Sequence, residues 1–363
     1  MRQLPALVLC LVVVQVAWAD WREFRGSGGG AGQHDQALAT EWSETKNIAW
    51  KTAIAGEGWS SPVILKDQLW LTTATEEGLS LRAVCLDVAS GKILHDVEVF
   101  RPADPGKKHS FNSYASPTPA IEEGRVYVSF GANGTACIDT ATGKVLWKNT
   151  ELRIDHKEGA GSSPILWGDL LILNFDGIDE QFVAAMDKRS GKLAWKTKRS
   201  FDLLKKAADT RKAYSTCTII SVDGKDQLIS VGASRVSAYD PASGKELWWC
   251  DHPGYSCAPR PIYGGGLVII STGYNSAELY AIRPTGEGNV TRTHLVWKQN
   301  RGAPLKPTPL VVKDRVYCVS DGGIARCLDA QSGEQIWQAR VVGSFSASPI
   351  LAGGRVYFFS ERG

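Results

Sequence analysis

Asp139-Thr-Ala-Thr-Gly143-Lys144-Val-Leu-Trp147 is the stretch that decides the fold. Gly follows Asp by four residues, and Trp follows Gly by four. The same spacing returns at Asp187/Gly191/Trp195, Asp240/Gly244/Trp248 and Asp329/Gly333/Trp337. A weaker copy pairs Asp87 and Gly91 with His95 in the Trp place, and a degenerate copy ends at Trp297. The phrase reads as a hairpin. One strand ends at Asp, whose short side chain bonds the backbone of the turn. Gly takes a positive-φ position, and the next strand carries Trp outward for packing.

A second phrase lies upstream in each unit. Pro62, Pro119, Pro164, Pro261, Pro309 and Pro349 each precede an aliphatic residue by seven positions, with a polar or Gly-containing turn between. The fourth unit has Thr218 in the Pro place. Each unit therefore reads as four strands joined by three turns. The Trp residues at 147, 195, 248, 297 and 337 are 48, 53, 49 and 40 residues apart. Four short strands at a period of about 40–50 residues predict an all-β propeller of four-stranded blades.

Six units span 59–99, 113–149, 160–198, 214–250, 256–299 and 306–341. A seventh starts at Ser346 and supplies two strands before Gly363, so the expectation is a ring of eight blades whose last blades are truncated here. Residues 20–47 form a lead-in whose run Ser27-Gly-Gly-Gly-Ala-Gly32 reads as a flexible loop. It also matches a dinucleotide fingerprint, but no strand precedes it and no helix follows. Residues 48–54, around Trp50, have an outer-strand pattern and are expected to close the ring by pairing with the last blade. Residues 20–363 thus make one propeller domain.

Residues 1–19 read as a signal peptide: Arg2, an apolar run from Leu7, then Ala17-Trp18-Ala19. The run is too short to span a membrane. Leu9 before Cys10 is too bulky for lipoprotein processing. The chain is expected to be exported, to the periplasm or beyond. Among 363 residues, 43% are apolar and 22% charged, and the net charge is +3, which is no nucleic-acid footprint. Cys85, Cys137 and Cys327 stand two residues before the repeat Asp, where other units have Ala. They read as small buried hydrophobes, hence free thiols. Cys250 and Cys257 are the one pair close enough in sequence to bridge.

Two connectors are long. One is 100–114, with Lys107, Lys108 and His109; the other is 199–214, with Lys205, Lys206, Arg211 and Lys212 and a helical turn or two. Both join an outer strand to the next blade's innermost strand, so both lie on the funnel face. They form the candidate partner-binding surface, with simple solvation of long loops as the alternative. No His spacing fits zinc, and no nucleophile elbow or phosphate loop occurs. Asp155-His156 and Asp251-His252 point apart on an extended strand. Asp176-Gly-Ile-Asp179-Glu180 reads as a solvated turn or a calcium loop.

The phrases Ala/Cys-x-Asp-x3-Gly-Lys-x2-Trp and Ser/Thr-Pro-x6-aliphatic resemble the pyrroloquinoline-quinone (PQQ) type of propeller repeat over about 59–363. Trp21-Arg-Glu-Phe-Arg-Gly26 and Gly58-Trp59-Ser-Ser-Pro62 are similar to exported bacterial proteins of that class. The superfamily includes quinoprotein alcohol dehydrogenases and the non-enzymatic outer-membrane assembly factor BamB, usually with eight blades. The resemblance implies one of two functions. The first is a binding scaffold that holds another protein or a cell-envelope component by its funnel face, with no catalytic residue and no cofactor. The second is a dehydrogenase using PQQ with calcium. The dehydrogenases carry a vicinal Cys pair, absent from this sequence, and hold their metal with Glu, Asn and Asp. Glu158, Asn112 and Asp155 lie in connectors facing the funnel.

Overall fold

A computed structural model describes residues 20–32, 38–274 and 277–362. The signal-peptide reading falls outside them. The described chain is built of short strands with four 3-10 segments and no longer helix. Six consecutive sheets each have four antiparallel strands hydrogen-bonded in chain order, the fourth gaining a parallel fifth strand from the next unit, and a seventh has two strands. Their inner strands are Val63–Leu65, Ala120–Glu122, Ile165–Trp167, Thr218–Val222, Ile262–Gly264, Leu310–Val312 and Ile350–Ala352. The inner strands of blades 1 and 2, 5 and 6, and 6 and 7 touch. Apolar side chains from facing sheets form the core between blades. Trp70 and Leu81 of blade 1, for example, share a buried cluster with Ile121, Val126 and Ile138 of blade 2.

The Ser/Thr of the Ser/Thr-Pro phrase links neighbouring blades. Ser61 N–H donates to Thr118 Oγ1, Thr118 N–H to Ser163 Oγ and Ser163 N–H to Thr216 Oγ1, each at 2.9 Å. Arg260 N–H donates to Thr308 Oγ1 at 3.0 Å, and Thr308 N–H to Ser348 Oγ at 2.9 Å. In blade 4 the relay residue is Thr216, so Cys217 rather than Thr218 stands in the Pro place. The relay lacks one link, from blade 4 to blade 5, where Arg260 replaces the hydroxyl residue.

Strand alternation puts the Asp-to-Gly turns at one end of the ring, the turn face. Connectors between blades and the second-to-third turns lie at the other, the connector face. In the quoted phrase Asp139 Oδ1 accepts from Ala141 N–H, Thr142 N–H and Thr142 Oγ1. Those hydrogen bonds from Thr142 hold its carboxyl below the ordinary range. Gly143 N–H donates back to Asp139 O at 2.9 Å. The residue before Gly is Ser or Thr in every such turn, and it bonds the Asp in each: Ser90, Thr142, Ser190, Ser243 and Ser332. The sequence reading left that position blank.

The Gly and the Trp meet across blades. Gly191 has φ +70°, and a Cβ there would sit 2.4 Å from the Trp147 ring of the preceding blade. Trp147 Nε1 donates to Lys188 O at 3.1 Å. Trp195 sits in the same way on Gly244 with Nε1 on Pro241 O, Trp297 on Gly333 with Nε1 on Ala330 O, and His95 on Gly143.

Three expectations need correction. Residues 48–54 pair with no strand among the described residues. Trp50 instead stacks on Gly91 and donates to Val88 O at 2.9 Å, while Thr52 Oγ1 donates to Gly91 O. The segment fills the outer-strand place against blade 1 without joining a sheet. The lead-in is not a free loop: its Arg25 is buried and its Gly residues turn around that side chain. The Trp-to-neighbour packing also fails at two copies. Trp248 is fully buried and donates to Gln227 Oε1 within its own blade. The long turn of blade 5 covers it, adding Gly288–Asn289 as a fifth, parallel strand on Glu246–Asp251. Trp337 is 39% exposed. No third-to-outer turn follows it among the described residues, so nothing offers it a Gly.

Candidate functional site

The connector face is built from segments that do not repeat. Arginine, lysine and aromatic side chains from residues 100–116, 150–160 and 199–214 interlock there. His109 N–H donates to Glu158 O at 3.1 Å, and Asn112 Nδ2 donates to Glu158 O and Ala160 O. Lys157 pairs with Asp209. The 199–214 connector contains the 3-10 segments Leu203–Lys205 and Ala208–Thr210.

The two basic clusters separate into free and committed charges. Lys107 is exposed. Lys108 lies over the Tyr114 ring at 5.5 Å, and His109 stacks on Phe111 at 5.5 Å. Lys206 donates to Ser234 Oγ at 2.7 Å and lies over Phe201. Lys205 faces Asp202 at 3.5 Å. Arg211 and Lys212 leave the candidate surface. The Arg211 guanidinium donates to the carbonyls of Leu204, Lys206 and Ile178. Lys212 is 2% exposed and held by Asp209, with Glu158 at 3.8 Å. Their charge fastens connectors to each other, because a buried cation keeps its charge only with partners close by.

Aromatic side chains mark the mouth more clearly than charge does. Phe111 is 82% exposed and Trp59 is 65% exposed. Trp59 N–H donates to Ala115 O, which places it beside the Phe111 connector. Lys306, from the connector into blade 6, lies 5.9 Å from the Phe111 ring. Leu79, Leu204 and Val342 are further exposed apolar side chains on this face. A cavity of about 700 Å³ opens beside Tyr114, lined by Lys108, Glu57, Glu76 and Glu77. Sequence reasoning met Trp59 only as part of a family phrase and passed over Phe111, because neither belongs to a repeat phrase that assigns it a place.

Two histidines in the connectors are neutral, His252 buried and His156 half-buried. His156 Nε2 accepts from Ala132 N–H, and His252 Nδ1 accepts from Gly254 N–H. Burial brings His156 down to about 4, against the opposing pull of Asp179 and Asp155. Burial, with Lys206 and Arg199 nearby, brings His252 down to about 3.

The side chains considered for a metal do not fit one. Asn112 Nδ2 donates to two carbonyls, and its Oδ1 accepts from Ser113 N–H and Ser116 Oγ. Asp155 Oδ1 caps Lys157 N–H, and Asp179 Oδ1 accepts from Asp155 N–H. Glu180 pairs with Lys196 and Lys198. Asp176 is closed off by Arg199 at 2.7 Å. No group of three His, Cys, Asp or Glu among the described residues could hold a metal ion. All seven described cysteines, Cys250 and Cys257 included, are buried and free. Burial pushes the Cys137 and Cys217 thiols up to about 12, so neither is a nucleophile.

Residues 31–177, 179–291 and 288–363 match the family model described as outer membrane protein assembly factor BamB. BamB of Nitrosomonas eutropha is 24% identical over 258 residues, which cover 67% of this chain and 55% of that protein. The chain spans a little over half the length of the BamB relatives it matches. A quinoprotein alcohol dehydrogenase, PedH of Pseudomonas putida, is 28% identical over 51% of this chain and 29% of its own length. Among solved structures, BamB from Moraxella catarrhalis superposes with a TM-score of 0.62 at 17% identity, covering 86% of this chain and 83% of that one. The quinohemoprotein alcohol dehydrogenase ADHIIG from Pseudomonas putida gives 0.59 at 13% identity, covering 80% and 60%. Both likenesses show the propeller fold.

Proposed function

The chain belongs to the outer membrane protein assembly factor BamB family, and from that premise we propose that it is an exported, non-enzymatic scaffold that grips another protein of the cell envelope with its connector face. The observation that carries this reading is the pair of exposed aromatics, Trp59 and Phe111, on the face where the repeat gives way to individual loops. Exposed aromatic anchors with unpaired lysines beside them are the make-up of a protein-docking surface. Lys107 and Lys108 supply the lysines, since neither of them meets a carboxylate among the described residues. Among those residues, no helix is long and apolar enough to cross a membrane.

The dehydrogenase alternative asks for a quinone and a calcium site. The acids and amides named for it are committed to backbone, Lys and Arg, which favours the scaffold. The proposal is tested by placing a photoreactive residue at Trp59, at Phe111 and, as a control on the opposite face, at Tyr263. Crosslinks to an envelope assembly protein from the first two positions alone support it. Equal crosslinking from Tyr263, or dye reduction after adding PQQ, calcium and an alcohol, would overturn it.

A further inference from the structure

The channel at the turn face is crossed by the lead-in, and its contacts reach blades far apart in the chain. Trp21 and Ile64 of blade 1 exchange both backbone hydrogen bonds, at 2.8 and 2.7 Å. Ile121 N–H of blade 2 donates to Arg22 O at 2.8 Å. Arg260, at the entry to blade 5, donates to Phe24 O and pairs with Glu23 at 2.8 Å. Arg25 Nη1 donates to Pro349 O at 2.7 Å, just before the inner strand of blade 7. Leu351 N–H donates to Gly30 O and Gly32 N–H to Leu351 O, each at 2.8 Å. One segment of about a dozen residues therefore bonds blades 1, 2, 5 and 7.

Two features of the sequence serve this path, although Arg260 Nε also donates to Cys217 O and Thr218 Oγ1 of blade 4. Arg260 occupies the place where the other six units carry Ser or Thr, and its presence interrupts the hydroxyl relay. Gly30 has φ +108°, and a Cβ on it would sit 2.2 Å from Arg25 Nη2. Arg25 itself is 4% exposed, faces carbonyls rather than a carboxylate among the described residues, and leaves Nε without a partner. Burying such a charge without a carboxylate is unfavourable, and the carbonyls of Gly29 and Pro349 compensate it. Burial, with Arg260 near, also brings its pKa down to about 9.

We infer that residues 21–32 are a clasp: a peptide bound in cis across the channel that couples blades 1 and 2 to blades 5 and 7, with Arg25 and Arg260 as its two grips. It ties the ring through its axis rather than through strand exchange at the rim. The turn-face end of the channel is, on this account, a peptide-binding site for a Trp-x3-Arg segment, already filled by the chain's own.

Hydrogen exchange on the full chain tests it, comparing wild type with R25K and R260S. The Ser of R260S restores the repeat's own residue type; besides the clasp it removes only bonds to Cys217 and Thr218 in blade 4, which holds none of the three reporter amides. The clasp predicts that the amides of Ile64, Ile121 and Leu351, which lie in three different blades, all exchange about tenfold or more faster in both variants. The amides of Ile269 and Ala281, inside blade 5, keep their wild-type rates. Acceleration confined to the blades beside the substituted residue, or none at the three amides, would overturn the inference. If R25K does not fold, R260S decides alone.

Discussion

The two faces of the ring are made in opposite ways. On the turn face one device repeats: an Asp-capped turn whose Gly receives the Trp or His of the blade before. On the connector face almost nothing repeats, and each loop is held by bonds of its own, such as Arg211 on three carbonyls and Lys212 on Asp209. The turn face is stabilised by ring packing and by Asp caps, whose contribution is complete above the ordinary carboxylate range and is lost only as the pH falls below about 4. The connector face is stabilised by buried polar groups, whose contribution depends on protonation. The difference separates where the chain is strong from where it is available to change.

Breaking the lock should have the largest effect. Trp147→Ala empties the seat on Gly191 and orphans Lys188 O, and should cost about 3–5 kcal/mol in chemical denaturation. Acid should act next, and on the other face. His156 and His252 are neutral in the fold, with folded values near 4 and 3 below an ordinary value of about 6.5. Their contribution is complete above about pH 6.5 and is lost as the pH falls toward 4. For His156 alone the loss amounts to about 3 kcal/mol. Denaturation midpoints measured at pH 7 and pH 4 should differ accordingly, and His156→Gln should shrink the difference. A midpoint independent of pH would place these rings in contact with water.

Gly191→Ala is smaller, because it strains φ and displaces one ring rather than removing it. It should cost about 1–3 kcal/mol, read from the same curves. Trp337→Ala sharpens the comparison within the turn face itself. Trp297 is 8% exposed and donates to Ala330 O, whereas Trp337 is 39% exposed and meets Tyr317 at 6.2 Å. The same phrase without a receiving Gly should be worth less than about 1 kcal/mol. A loss equal to that at Trp147 would mean that the phrase stabilises its own blade. Reversing Lys107 and Lys108 to Glu should be smallest, leaving the melting temperature unchanged while reducing partner crosslinking from Phe111.

How much of this was legible depends on which residues carry it. The Asp-Gly-Trp spacing revealed the blades, and the Ser/Thr-Pro phrase revealed the inner strands. It also held the hydroxyl relay, which spacing alone could not show because each bond joins residues forty or more positions apart. The basic connectors were visible as a cluster. Their division into free Lys107 and Lys108 and committed Arg211 and Lys212 was not, because the partners come from other segments of chain. Trp59 was visible only within a family phrase and Phe111 not at all, and neither gave a sign of exposure, since an aromatic residue in a loop reads the same whether it is buried or exposed.

The sequence by itself determined the blade, its four strands and its turns, because those contacts are local and repeat at a fixed spacing. Only the tertiary structure decided which Trp finds a Gly, which lysines stay free, and that residues 21–32 cross the channel instead of trailing from it. Each of those outcomes depends on a neighbour supplied by a distant blade, and the free energy of burial is set by that neighbour rather than by the residue's own surroundings in sequence.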